Sequence, residues 1–290
     1  MTITATDTEI PARDGYALSA TVYAPQEQSP HPAVVVVSSA VAVPRQLYRR
    51  FAETLVGGGY TVVTYDYRGI GGSKPESLRG FDADCSDWVF QDMAGVIDWV
   101  KSEFEPGRLF LIGHSFGGQV AGMLDNVDHL AGLITFSSQS GHWRHQNGMQ
   151  KAAVATVGYI TIPVLTPLFG YAPWGKLGGG EDLPAGVAKQ WGSWVRKPGY
   201  LFDDPTLPLD QFDSFSAPVL AYSIDDDDWG NSESVDLLMH RAYQNVERRH
   251  IVPADRSIAE IGHVGYFRES SSVLWPEVIA WMDQQSDEAS

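Results

Sequence analysis

Cysteine is nearly missing from this chain: Cys85 is the one thiol in 290 residues. That excludes an internal disulfide framework and any multi-cysteine cluster, so no metal is expected. Positive charge is scarce too. Twenty Lys and Arg stand against 36 Asp and Glu, a formal net charge of −16. Such a balance repels phosphate, and neither nucleic acid nor an anionic membrane is an expected partner. The opening MTITATDTEIPARDG has no positive n-region and no apolar h-region. No signal peptide is therefore expected, and a reducing cytoplasm is the default location. One absence is local. No charge lies between Lys151 and Lys176, and Ala152 to Tyr171 is largely apolar. Pro163 and Pro167 interrupt it, and no second apolar run offers partners for the freed backbone. A buried or ligand-facing helix is expected there rather than a membrane span.

What is present suits a large core. Hydrophobic residues make up 43% and charged residues 19%, too apolar for a disordered chain. Apolar runs short enough for strands alternate with helical patterns. Tyr16 to Ala24 follows an Asp14-Gly15 turn and reads as the second arm of a hairpin. Ala33 to Val37, Thr61 to Tyr65, Leu109 to Gly113, Ala131 to Phe136 and Pro218 to Ile224 read as strands buried on both faces. From Asp87 to Phe104 the apolar residues recur at helical spacing, with Ser86 or Asp87 as cap and Pro106-Gly107 as stop. A last helix begins near Trp275. Alternation of this kind predicts an α/β fold, a mostly parallel doubly wound sheet. The alternation fails over residues 140–215, which are rich in Gly, Pro and Trp. That stretch reads as a mainly helical cap inserted in a core of residues 1–139 and 216–290, over the carboxyl ends of the strands where ligands bind.

The sharpest motif is Gly113-His114-Ser115-Phe116-Gly117, a G-x-S-x-G. By composition alone a chain like this holds about 0.2 such matches, so the context decides. RLFLIG before it reads as a buried strand and VAGML after it as a helix. A serine on a tight strand-to-helix turn needs neighbours without side chains, and the turn holds its hydroxyl at the helix N-terminus.

A serine nucleophile needs a base and a group that orients the base. His263, in the Gly-flanked loop EIGHVGYF before the last helix, is the expected base. His114 is expected to pack in the turn, since adjacent residues there point apart. His142 and His145 open the insertion, His240 sits in a helix and His250 in a strand-like run. Four aspartates, Asp225 to Asp228, follow the strand PVLAYSI. Asp227 is the preferred acid and Asp226 the alternative. The rest are expected to form a solvated loop, where repulsion favours pairing one carboxylate with an imidazolium.

With these residues in place, the chain resembles the α/β-hydrolase-fold enzymes of the serine hydrolase type. The resemblance rests on GHSFGG, YDYRGIGGS at Asp66 to Ser73, SIDDDDW and GHVGYF, and runs over almost the whole length. LGGGEDLPAGVAKQW and LWPEVIAWM also resemble a subgroup of bacterial hydrolases named by homology. The resemblance implies a Ser115–His263–Asp227 triad and an oxyanion hole from the N–H of Phe116 and, by alignment, of Ala40. One departure stands out: where the family often has His-Gly after its third strand, this chain has Ser38-Ser39-Ala40. A serine at position 115 excludes the relatives that use aspartate or cysteine.

The expected activity is cofactor-free cleavage of an ester or related acyl bond in a small-molecule substrate. An acyltransferase using the same triad is the alternative, and a non-catalytic binding protein on the same scaffold the third. Cys85 is expected to be a structural thiol, and Trp174, Trp191 and Trp194 cap core. Leu165 and Phe169 are expected to face an acyl chain. The oligomeric state is left open.

Overall fold

The computed structural model describes residues 2–27, 32–128 and 130–287. Eight strands form one sheet: β1 (Ile3–Pro11), β2 (Ala17–Pro25), β3 (Ala33–Ser38), β4 (Thr61–Tyr65), β5 (Arg108–His114), β6 (Leu130–Phe136), β7 (Val219–Ile224) and β8 (Val246–Ile251). Their order is β1-β2-β4-β3-β5-β6-β7-β8. β1 and β2 pair antiparallel at one edge, and β2 runs antiparallel to β4. Every other pairing is parallel. The expected mostly parallel sheet is therefore present, and it is the α/β-hydrolase fold.

Side-chain alternation explains why short all-apolar runs became central strands. Val34, Val36, Leu109 and Leu111 enter one apolar layer, while Val35, Val37, Phe110 and Ile112 enter the other. Burying each such side chain stabilises by about 1.5–3 kcal/mol, against at most about 1 for a surface ion pair. Burial on both faces thus sets which segments lie inside. The strand order reverses at β3, with β4 on one side and β5 on the other, and this opens a crevice at their carboxyl ends. The loop after β3 and the turn after β5 border it.

Two local expectations change. The helix foreseen from Asp87 starts at Cys85, and its cap is Asp84, whose side chain accepts from the Asp87 amide in a reciprocal capping box. A π-helical stretch, Trp88–Met93, precedes the regular helix Ala94–Phe104. In it the buried Asp92 accepts from Arg68 Nε at 2.7 Å and from the Arg68 amide at 2.8 Å. The YDYRG turn is tied down in this way, a tertiary demand that helical periodicity does not register.

Residues 140–215 add no strand to the sheet. They fold mainly as helices, including Gly148–Thr156, a π turn at Val157–Thr161, Ile162–Phe169 and Ala185–Arg196. Pro163 has no N–H and would crowd the carbonyl four residues back, which the wider π turn relieves. The first three form one continuous stretch of 22 residues, long and apolar enough by composition to cross a membrane. The expectation of a buried helix holds for one row of it. Val154, Gly158, Ile162 and Thr166 are buried, with Gly158 against Val195 and Ile162 against Gly192. Over its most apolar window only 22% of the stretch is buried. It rests on the protein by one face, and among the described residues nothing covers its outer face.

Candidate active site

Ser115 ends β5 and opens the short helix Phe116–Val120 at φ 50° and ψ −110°, left-handed backbone that a non-glycine residue rarely adopts. The glycines of the motif have steric causes. A Cβ on Gly113 would meet the Gly118 amide at 2.3 Å, and one on Gly117 would meet the Ser38 carbonyl at 2.3 Å. The strain is held by hydrogen bonds: the Ser115 N–H donates to the Phe136 carbonyl at 2.8 Å, and Ser138 Oγ donates to the Ser115 carbonyl at 2.9 Å.

The four aspartates after β7 divide by position. Asp227 is 3% exposed, and its Oδ1 accepts from the amides of Trp229 and Gly230 at 2.8 and 2.9 Å. His263 Nδ1 donates to the same carboxylate, 2.9 Å from Oδ2 and 3.0 Å from Oδ1. Burial alone would raise the Asp227 carboxyl. The His263 imidazole and the hydrogen bonds outweigh it and hold the group at about 2. With Nδ1 engaged, Nε2 is the ring nitrogen of His263 left for a substrate or for Ser115.

Asp226, the alternative acid, pairs with backbone amides and not with the His263 ring. Its two oxygens accept from the amides of Ile261 and Gly262 at 2.8 and 2.9 Å. It therefore fastens the backbone just before His263. Asp225 and Asp228 are exposed, as foreseen.

His114 is buried in the turn, as expected, and has a further task. Its Nε2 donates to the His263 carbonyl at 2.8 Å, which leaves Nδ1 to accept from the Tyr48 hydroxyl, also at 2.8 Å. Burial, with the nearby His263 adding to it, lowers the imidazole to about 3, so it stays neutral. The Tyr48 hydroxyl in turn accepts from the Ala40 amide at 3.1 Å. The Ala40 N–H, expected to face an oxyanion, is thus engaged by a side chain. No spacing rule pointed to Tyr48, which arrives from the short turn after the β3 loop.

Ser115, Phe116 and His263 border one cavity of about 420 Å³, within the range of small-molecule sites. Ala40, Val41 and Val43 line it from the β3 loop, and Val154, Trp174, Trp191 and Tyr200 from residues 140–215. Trp194 is fully buried as core, whereas Trp174 and Trp191 are cavity wall, packed edge to face 6.0 Å apart. Leu165 and Phe169 do not border the cavity. Among its polar residues, Gln119 is saturated: it donates to the Gln139 carbonyl and accepts from the Tyr200 hydroxyl. Gln146 is 3% exposed, and its Oε1 has no partner among the described residues. Cys85 is buried, donates to the Val187 carbonyl, and lies outside the cavity. Among the described residues no group of three or more His, Cys, Asp or Glu is arranged to hold a metal.

The family model described as "Serine aminopeptidase, S33" matches residues 14–168, more than half of the chain. The chain belongs to this α/β-hydrolase family. It is 30% identical over 122 residues to the quorum-quenching protein AidA of Acinetobacter baumannii, covering 40% of this chain and 38% of that protein. It is 32% identical over 111 residues to the lysophosphatidylserine lipase ABHD12 of Danio rerio, covering 38% and 27%. The matches thus span about a third of the length of these relatives. Solved structures extend the likeness in shape. An esterase of Pyrococcus furiosus is similar at TM-score 0.60 and 17% identity, over 97% of this chain and 91% of that one. Est1E of Butyrivibrio proteoclasticus, solved with ferulic acid bound, is similar at TM-score 0.66 and 18% identity, over 97% and 99%. At such identities they establish the fold of this α/β hydrolase and not its substrate.

Proposed function

We propose that this α/β hydrolase cleaves a carboxylic ester or related acyl bond through a Ser115–His263–Asp227 triad, without a cofactor. The observation that carries the reading is the Asp227–His263 pair set on the same cavity as a serine held in left-handed backbone. Ser115 Oγ attacks the substrate carbonyl while His263 Nε2 takes the hydroxyl proton. The tetrahedral intermediate collapses, and His263 returns that proton to the departing alkoxide, leaving an acyl-enzyme. Water, deprotonated by the same nitrogen, then releases the acid and frees Ser115. Asp227 holds the imidazole by its Nδ1–H and stabilises the charged form. The Phe116 N–H, at the start of the helix, is one oxyanion donor. With the Ala40 amide engaged, we assign the second donor to Val41, the next amide of that loop and a residue of the cavity wall.

The apolar wall of valines and tryptophans fits an acyl group. One relative is a lysophosphatidylserine lipase, which supports an acyl-bearing substrate in the same sense. Residues 140–215 act in this reading as the cap that encloses it. A fluorophosphonate probe tests the nucleophile. Covalent labelling should map to Ser115, and Ser115→Ala should lose label and about 10³-fold or more in kcat with an unchanged melting temperature. Retention of near-wild-type ester turnover by the alanine variant would remove Ser115 from the mechanism.

A further inference from the structure

Two adjacent rows on the helical stretch Gly148–Phe169 face away from the protein. They are Tyr159, Pro163 and Pro167, and Ile160, Val164 and Leu168, each spaced i, i+4, i+8. Ile160, Val164 and Leu168 are 57%, 56% and 68% exposed. Met149 and Leu177, at the two ends, are also exposed. Large apolar side chains gathered in one place mark an interaction surface, not an ordinary solvent face.

The surroundings indicate the occupant. No Asp or Glu occurs in residues 129–180, although the chain carries 36 of them in 290 residues. Four cations rim the patch, each over an aromatic ring. Arg144 and Lys151 lie 5.0 and 5.8 Å from Trp143, Lys176 lies 4.9 Å from Phe169, and Arg196 lies 5.9 Å from Tyr159. An apolar body with aromatic rings and cationic heads at its edge suits a headgroup layer: the stems and rings enter, and the charges meet phosphate.

We propose that this face docks on a lipid surface carrying anionic headgroups. The net charge of −16 argues against an anionic surface taken as a whole, but exposed charges more than about 8–10 Å away are screened, so the local charge decides. The local patch of apolar side chains and rimming cations is what a membrane meets, with Asp182 the acid beside its Lys176 end. A second copy of the chain is a poorer occupant, since a two-fold contact sets the cationic rim against itself. The segment lies on the surface and does not cross it, because its inner row is packed on the helix Ala185–Arg196. That inner row includes Val154, which also borders the cavity beside Ser115. One helix thus separates docked lipid from the site, although docking itself does not depend on the ester reading.

The test uses the full chain carrying Ser115→Ala, so that binding is measured without turnover. It is sedimented with vesicles of phosphatidylcholine alone and of phosphatidylcholine mixed with phosphatidylglycerol. Binding is expected to the mixed vesicles, to fall on the neutral ones, and to fall at high salt. Ile160→Ser, Val164→Ser and Leu168→Ser together should weaken it at least about tenfold with an unchanged melting temperature. Arg144→Gln with Lys151→Gln should weaken it about fivefold per cation. Failure to sediment with the mixed vesicles overturns the proposal, as does binding that the triple substitution leaves intact. A dimer in sedimentation velocity that the triple substitution abolishes would assign the face to a second copy, and also overturns it.

Discussion

Each of the four consecutive aspartates has its own environment, and the environments predict unequal effects. Asp227→Asn removes the carboxylate that fixes the His263 tautomer and should cost about 10³–10⁴-fold in kcat. Asp226→Asn leaves that carboxylate in place but loosens the Ile261 and Gly262 amides. A loss of about tenfold is expected, with a lower melting temperature, because a small misplacement of a base is costly. Asp225→Asn and Asp228→Asn should be near neutral. Measuring kcat on one ester across the four variants checks the order, and a mild Asp227→Asn would break it. His114 carries a stability prediction. The unfolded chain takes up its proton near 6.5 and the folded chain only near 3. Acid therefore favours unfolding: stability is intact above 6.5 and declines as pH falls toward 3, by up to about 1.4 kcal/mol per pH unit for this one group. Burial also lowers His142 and His145, which act in the same direction. Urea unfolding across this range should show a shallower slope for His114→Asn than for the wild type.

Among the elements, the turn after β5 depends most on its neighbours. A Cβ on Gly117 would press on the backbone carbonyl of Ser38, which cannot rotate aside. Gly117→Ala should destabilise by about 1–3 kcal/mol and displace Ser115 from the cavity, so fluorophosphonate labelling should slow along with the fall in melting temperature. Full labelling speed in that variant would show that the turn tolerates the shift. The loop holding His263 is likewise no independent element. Asp226 holds its amides and His114 its carbonyl, one from the end of β7 and one from the turn that carries the serine. Mobility in that loop is therefore limited by the same two elements that supply the rest of the site.

At the scale of the whole molecule, the cavity between the sheet and residues 140–215 sets what enters. Its wall of Val41, Val43, Val154, Trp174 and Trp191 predicts that kcat/KM rises with acyl length by about fourfold per methylene, then levels off when the space is filled. Trp191→Ala should move the plateau to longer chains, because it removes wall and leaves the proposed triad untouched. Leu165 and Phe169 lie outside the cavity and should not affect the slope. Rates measured on a series from acetate to longer esters test this, and equal rates for short and medium chains would contradict it.

The sequence by itself determined the parallel core and the turn. Runs such as VVVV and RLFLI can satisfy burial on both faces only as central strands, and Gly113 and Gly117 flank a serine that needs room on either side. It also narrowed the histidine to His263 by chain order and loop context, and left the acid among neighbours one residue apart. Only the tertiary structure separated Asp227 from Asp226, because their difference is which way each side chain points after β7. It alone engaged the Ala40 amide with Tyr48, joined His114 to the His263 carbonyl, and replaced the expected cap of the Cys85 helix by Asp84. It also divided the uncharged stretch into a buried row and an exposed one. Local patterns record periodicity and steric need within a few residues. A hydrogen bond between partners 149 positions apart, or a helix face that finds nothing to pack on, is decided by what the rest of the chain brings beside it.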